Sequence, residues 1–161
     1  MYTIEQIEDA IIAALAPLKV DYAPGEGDPA IYATVKTIKS YQAELDSEDD
    51  IARAARLFPA VIVVYMGSTY IDHGSRKIET LQYELFVCDK NLRLEAEARR
   101  GGNANPGTYA MLHGVRDLLY GKQLGKEIYP FKLNRETPVF LGMGLSIYGA
   151  AYETSQTLLY P

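Results

Sequence analysis

Residues Ala60 to Tyr65 read Ala-Val-Ile-Val-Val-Tyr, an unbroken apolar run dominated by β-branched side chains. The run is too short for a globular helix, and stiff χ1 torsions suit a pleated strand, so it predicts a strand buried on both faces. Such a strand needs neighbours on either side and cover above and below, which makes a layered sheet domain the starting point. The stretch Lys77 to Asp89 supplies a neighbour. It alternates, with Ile78, Leu81, Tyr83, Leu85 and Val87 mainly apolar and a one-residue slip after Ile78.

The remaining segments arrange themselves around this pair. Thr3 and Gln6 have capping-box spacing ahead of Ile4, Ile7, Ile11, Leu15 and Leu18, which predicts an amphipathic helix ending near Ala16, just before Pro17. Ala23 to Pro29 is turn-rich, and a strand is expected near Tyr32 to Tyr41. Ser47 can cap a short helix with Ile51, Ala54, Ala55 and Leu57 on its apolar side, stopped by Phe58-Pro59. Between Tyr65 and Lys77 a polar connection is expected. Asn91 to Gly107 is polar and glycine-rich and reads as an excursion from the core. Thr108 to Tyr120 follows as a helix with Met111, Leu112, Val115, Leu118 and Leu119 on one face and Gly121 at its C-terminal cap. Phe131 to Leu133, Val139 to Leu141 and the run from Leu145 to Tyr160 predict two final antiparallel strands hinged at Gly142-Met143-Gly144. The order predicts an α+β fold: a mixed, mostly antiparallel sheet of four to five strands with helices packed on one face. At 161 residues, one domain covering 1–161 is expected.

Composition narrows the function. Lysine and arginine total 16 against 21 acidic residues, a net charge of −5, opposite to what bulk phosphate binding requires. No apolar run is long enough to span a membrane, and the acidic opening lacks the basic region of a secretion signal. The single Cys88 cannot make an intrachain disulfide, which suits a reducing compartment. The two histidines, His73 and His113, have no zinc-ligand spacing. His113 and Asp117 read as a surface pair, and Cys88 as a buried thiol rather than a nucleophile. No serine lies in a Gly-x-Ser-x-Gly elbow, and Gly101, Gly102 and Gly107 precede no phosphate-binding lysine. Glu48, Asp49 and Asp50 suit the positive end of a helix. No catalytic, cofactor-binding or metal-binding residue is assigned, and no cofactor is expected. Arg93, Arg99 and Arg100 either face solvent or meet nucleic acid or acidic partner residues. Among 13 tyrosines, Tyr148, Tyr152 and Tyr160 are either ordinary sheet-face residues or interface aromatics.

The chain resembles the Mu-like phage tail protein family and, more broadly, the tail terminator (tail-completion) proteins of long-tailed phages and tail-like bacteriocins. The resemblance is carried by the N-terminal Ile-Glu-Asp-Ala-Ile-Ile-Ala-Ala-Leu helix, by Lys39-Ser40-Tyr41-Gln42-Ala43-Glu44-Leu45, and by Leu57-Phe58-Pro59-Ala60-Val61-Ile62-Val63 with Tyr65-Met66-Gly67. It continues through Pro106-Gly107-Thr108-Tyr109-Ala110-Met111-Leu112 into Val115-Arg116-Asp117-Leu118-Leu119-Tyr120-Gly121. It implies a non-enzymatic domain that forms a hexameric ring on the last ring of tail tube protein. The ring would halt tube and sheath growth and offer a surface to neck or head-completion proteins, with DNA passing through its lumen. It also implies assembly in the host cytoplasm followed by residence in the virion or tail-like particle. In that setting the 91–107 excursion, with Arg93, Arg99, Arg100, Asn103 and Asn105, becomes a candidate contact loop. A head-completion or neck adaptor and a small enzyme are the alternative readings.

Overall fold

The computed structural model describes residues 1–19, 35–91, 95–101 and 105–159. Helix α1 (Ile4–Ala14) starts at the capping box read from sequence. The Thr3 hydroxyl accepts from the Gln6 backbone N–H at 3.2 Å, and the Gln6 side chain accepts from the Thr3 backbone N–H at 2.9 Å. Pro17 ends α1 slightly earlier than expected, and a 3-10 turn (Ala16–Lys19) carries Leu18 into the core. β1 (Thr37–Ser40) is shorter than the strand expected over 32–41, of which residues 32–34 lie outside the described residues, as does the Ala23–Pro29 loop. The short helix α2 (Glu48–Ala54) is capped by the Ser47 hydroxyl, which accepts from the Asp50 N–H at 3.1 Å.

The apolar run founds β2 (Ala60–His73), and β2 does not stop at Tyr65. It absorbs the expected polar connection and turns at Gly74-Ser75 into β3 (Arg76–Lys90). The sequence reading was misled there because a bulge between Tyr65 and Gly67 breaks the alternation. Beyond it, Ser68, Thr69, Tyr70 and Ile71 keep good strand propensity without burial. The C-terminal hairpin is β4 (Lys132–Gly142) and β5 (Leu145–Leu159), which merges the two predicted fragments 131–133 and 139–141 into one strand. The sheet order is β1-β2-β3-β5-β4, with β1 parallel to β2 and every other pair antiparallel. The α+β class and the mixed, mostly antiparallel sheet of the sequence reading are therefore present.

Period-two alternation sorts the sheet into two layers. Val61, Val63, Leu81, Tyr83, Leu85, Val87, Ala150 and Tyr152 face α1 and α4 (Thr108–Leu119) and form the main core with Ile7, Ile11, Met111, Val115 and Phe131. The intervening residues Ala60, Ile62, Cys88, Leu145 and Ile147 face the other way and meet Ile51, Ala54 and Phe58. Helix α2 thus covers one end of the second face. The rest of that face, toward the β2–β3 turn, carries no helix among the described residues.

Candidate functional site

The 91–107 segment is less of an excursion than its composition suggests. Helix α3 (Glu95–Arg100) forms within it, and Ala98, Asn105, Pro106 and Gly107 are buried. The anchor is Asp89, a fully buried carboxylate near the end of β3. Its Oδ2 accepts from the Asn105 Nδ2 at 2.8 Å and the Gly107 backbone N at 2.6 Å, and its Oδ1 accepts from the Lys90 backbone N at 2.8 Å. Burial raises the Asp89 pKa above the ordinary carboxylate value, and the three N–H donors pull against that rise. Asn105 also donates to the Glu97 carbonyl at 2.7 Å, and Asn91 bridges the Glu97 carboxylate and the Asn105 amide oxygen. Gly101 and Gly107 cross at close range: a Cβ on Gly107, at φ +82°, would sit 2.2 Å from the Gly101 nitrogen.

This geometry redistributes the sequence candidates. Asn105 is buried and serves the loop's own hydrogen bonds, which corrects its reading as a contact residue. Arg99 is half-buried and Arg100 exposed at the end of α3, while Arg93 and Asn103 lie outside the described residues. Tyr152 is only 1% exposed and belongs to the core, which corrects its reading as an interface aromatic. Tyr148 is half-buried with the exposed Tyr109 edge-on against it at a centroid distance of 5.8 Å. Tyr160 lies outside the described residues.

The two histidines are far apart in the fold, His73 at the exposed end of β2 and His113 on α4. Burial pushes the Cys88 thiol well above its ordinary pKa, as for an inert core thiol. Among the described residues no cluster of metal-ligating side chains occurs. Surface depressions hold paired charges. One of about 320 Å³ is lined by Met66, Gln82, Glu84, Asn134 and Arg135, and in it Arg135 lies 3.5 Å from the Glu84 carboxylate. Another, of about 360 Å³, contains the Lys39–Glu44 and Asp50–Arg53 ion pairs.

The distinctive surface lies at the two sheet edges. β1 ends at Ser40, opposite Val63, so β2 is an edge from Val64 to His73 among the described residues. Met66, Tyr70 and Ile71 on it are more than half exposed. A buried carboxylate stiffens this edge: Glu79 accepts from the Ser68 and Tyr70 hydroxyls, both at 2.9 Å, and from the Gln156 amide at 2.8 Å. Gln156 in turn pairs with both backbone groups of Tyr2. β4 is the opposite edge, with exposed Val139 and Leu141. Sequence reasoning missed the β2 edge by ending the strand at Tyr65. The Ser-Thr-Tyr-Ile run before Gly74 was the signal that could have found it.

These features describe a small α+β structural domain whose distinctive chemistry lies at the borders of its sheet. The chain belongs to the bacteriophage Mu Gp37 family, which matches residues 3–157, and is a phage tail-related structural protein. That membership points to a virion component and away from an enzyme. Curated proteins give no significant match. No helix among the described residues is long and apolar enough to cross a membrane.

Proposed function

We propose that this protein is a tail terminator. Copies close into a ring, six by the family resemblance, that seats on the last ring of tail tube protein, stops tube and sheath polymerisation, and presents a surface to neck or head-completion proteins. Family membership over residues 3–157 carries the reading. The sheet edges support it, because a ring needs a heterologous interface in which two unlike surfaces of one subunit meet. β2 and β4 provide such a pair, with exposed Met66, Tyr70 and Ile71 on one and Val139 and Leu141 on the other. The exposed Arg100 on α3 suits contact with acidic residues of the tube or with DNA in the lumen. The protein assembles in the host cytoplasm and remains in the particle.

Light scattering and negative-stain microscopy of the purified protein, alone and with tail tube protein, test this. Rings of about six copies and caps on tube ends are expected. A strict monomer that ignores tube ends would refute the proposal, and rings that bind only the head-side connector would replace it with a neck adaptor.

A further inference from the structure

We propose that the residues ahead of α1 act as a strap whose seating on β5 orders the outer end of β2, through a buried row of side chains that crosses the sheet. The coupling is a property of the single subunit and goes beyond the terminator reading.

Strand register sets the row. Tyr70, Glu79 and Gln156 lie directly opposite one another on β2, β3 and β5, on the face that carries Leu81, Tyr83 and Leu85 toward α1 and α4. Polar groups at the end of an otherwise apolar face need partners, and here each supplies the next. The buried Glu79 carboxylate accepts from the Ser68 and Tyr70 hydroxyls with Oε1 and from the Gln156 Nε2 at 2.8 Å with Oε2. Gln156, also buried, turns its remaining capacity on the backbone of Tyr2. Its Oε1 accepts from the Tyr2 N–H at 2.8 Å, and its Nε2 donates to the Tyr2 carbonyl at 2.9 Å.

The row has one polarity. A half-turn of the Gln156 amide would set its oxygen against the Glu79 carboxylate and the Tyr2 carbonyl, two acceptors that offer it no proton. A seated Tyr2 therefore locks the amide in the orientation that serves Glu79, and a released Tyr2 takes away two of its three hydrogen bonds. The side chain of Tyr2 is held as well. Lys126 Nζ lies 4.5 Å from its ring centroid, and its phenol oxygen accepts from the Glu127 N–H at 3.3 Å. The capping box at Thr3 joins this strap to α1.

Support of this kind matters most at the far end of the row. β1 stops opposite Val63, so among the described residues β2 has a strand neighbour on one side only from Val64 to His73. A border of that sort opens locally at low cost. Ser68 and Tyr70 tie it to β3 through their side chains, and both ties end on one Glu79 oxygen. Seating of Tyr2 is thus felt at Tyr70, which lies two strand spacings, about 10 Å, from Gln156.

Native-state hydrogen exchange of the full chain, read by NMR, tests the coupling. Gln156→Met keeps the side-chain length and removes the amide. Amides from Ser68 to His73 are expected to exchange about tenfold faster, the low end of what one hydrogen bond to a charged group supplies. These amides open locally, so a loss of global stability alone would not move them. Tyr2→Pro removes the N–H that Gln156 accepts and should speed the same amides. Adding it to Gln156→Met should bring no further change, because both act through one chain of contacts. Wild-type exchange at the β2 edge in Gln156→Met, a Tyr2→Pro effect confined to residues 1–6, or effects that multiply in the double variant would each overturn the proposal.

The reverse experiment avoids any buried substitution. Tyr70 is 55% exposed, so Tyr70→Phe removes one tie to Glu79 without threatening the fold. Coupling between sites is reciprocal, so the Tyr2 amide should exchange about fivefold faster in this variant, the low end of ordinary coupling strengths. An unchanged Tyr2 amide would refute the strap.

Discussion

Replacing Asp89 tests whether the 91–107 segment is part of the folded body. Asp89→Ala removes the acceptor for three N–H groups, two of them, on Asn105 and Gly107, in buried positions. Hydrogen bonds to a charged group contribute about 1.5–3 kcal/mol each, and an unsatisfied buried donor costs about 1–3 kcal/mol. Against this, the variant no longer buries a carboxylate, and Asn105 keeps its bond to the Glu97 carbonyl. The net loss is expected near 3 kcal/mol. With a urea m-value of about 2 kcal/mol/M, that moves the midpoint down by roughly 1.5 M. Asp89→Asn keeps one acceptor oxygen for Asn105 and Gly107 but turns an N–H toward Lys90, and should cost about 1 kcal/mol. Tyrosine fluorescence reports the transition. The pH dependence has a definite sign. Burial raises the Asp89 pKa in the fold, so between the unfolded and folded values the native state holds the extra proton, and wild-type stability from this group rises as the pH falls through that window. Asp89→Asn lacks this titration, so its deficit should widen on going from neutral pH toward the ordinary aspartate value of about 3.9. An Asp89→Ala midpoint unchanged from wild type would refute the anchoring role. A deficit for Asp89→Asn that narrows toward acid would refute the account of its environment.

Three further substitutions follow from local geometry. Gly107→Ala puts a Cβ 2.2 Å from the Gly101 nitrogen at φ +82° and should cost about 3 kcal/mol by urea titration, through strain and overlap together. Tyr152→Phe removes a buried hydroxyl with no hydrogen-bond partner among the described residues, so thermal unfolding should show no loss and a gain of up to about 1 kcal/mol. Met143 holds φ +52° ahead of Gly144 at φ +71°, where a two-residue hairpin favours Asn-Gly, so Met143→Asn should stabilise the monomer by about 0.5 kcal/mol in the same assay.

The parts of the fold visible in the sequence were those whose pattern is local. The Thr3–Gln6 box, the Ser47 cap, the β-branched run at Ala60 and the glycine hinge before β5 each act within a few residues, and each is where it was expected. Features that depend on distant partners were not visible. Asp89 looks like any strand-terminal acid until Asn105 and Gly107 fold back onto it from 16 and 18 positions away. Tyr148 and Tyr152 share a spacing and a residue type, yet four positions along β5 carry the strand from the half-covered region near Tyr109 to the centre of the core. The helical layer was legible for the same reason: α1 and α4 show apolar spacing, whereas the cover that α2 gives the second face follows from how the alternation of β2 and β5 divides between two clusters.

The two sheet edges differ in how readily each could pair with another strand. β4 contains Pro138 and two register shifts, near Asn134 and Val139, and carries Lys132 and Arg135. Those features are ordinary means by which an edge strand avoids pairing with another chain. β2 beyond Val64 has a single bulge at its start, no proline, one charge and a rigid hydrogen-bonded backing through Glu79. Pairing β4 with β4 would bring like charges and two distorted ladders together, and pairing β2 with β2 would leave the apolar side chains of β4 exposed. A contact between unlike surfaces of one subunit repeats from copy to copy until the rotation closes it, which is what the terminator reading requires of this sheet. Under the terminator reading, the asymmetry of the sheet is what would direct that assembly.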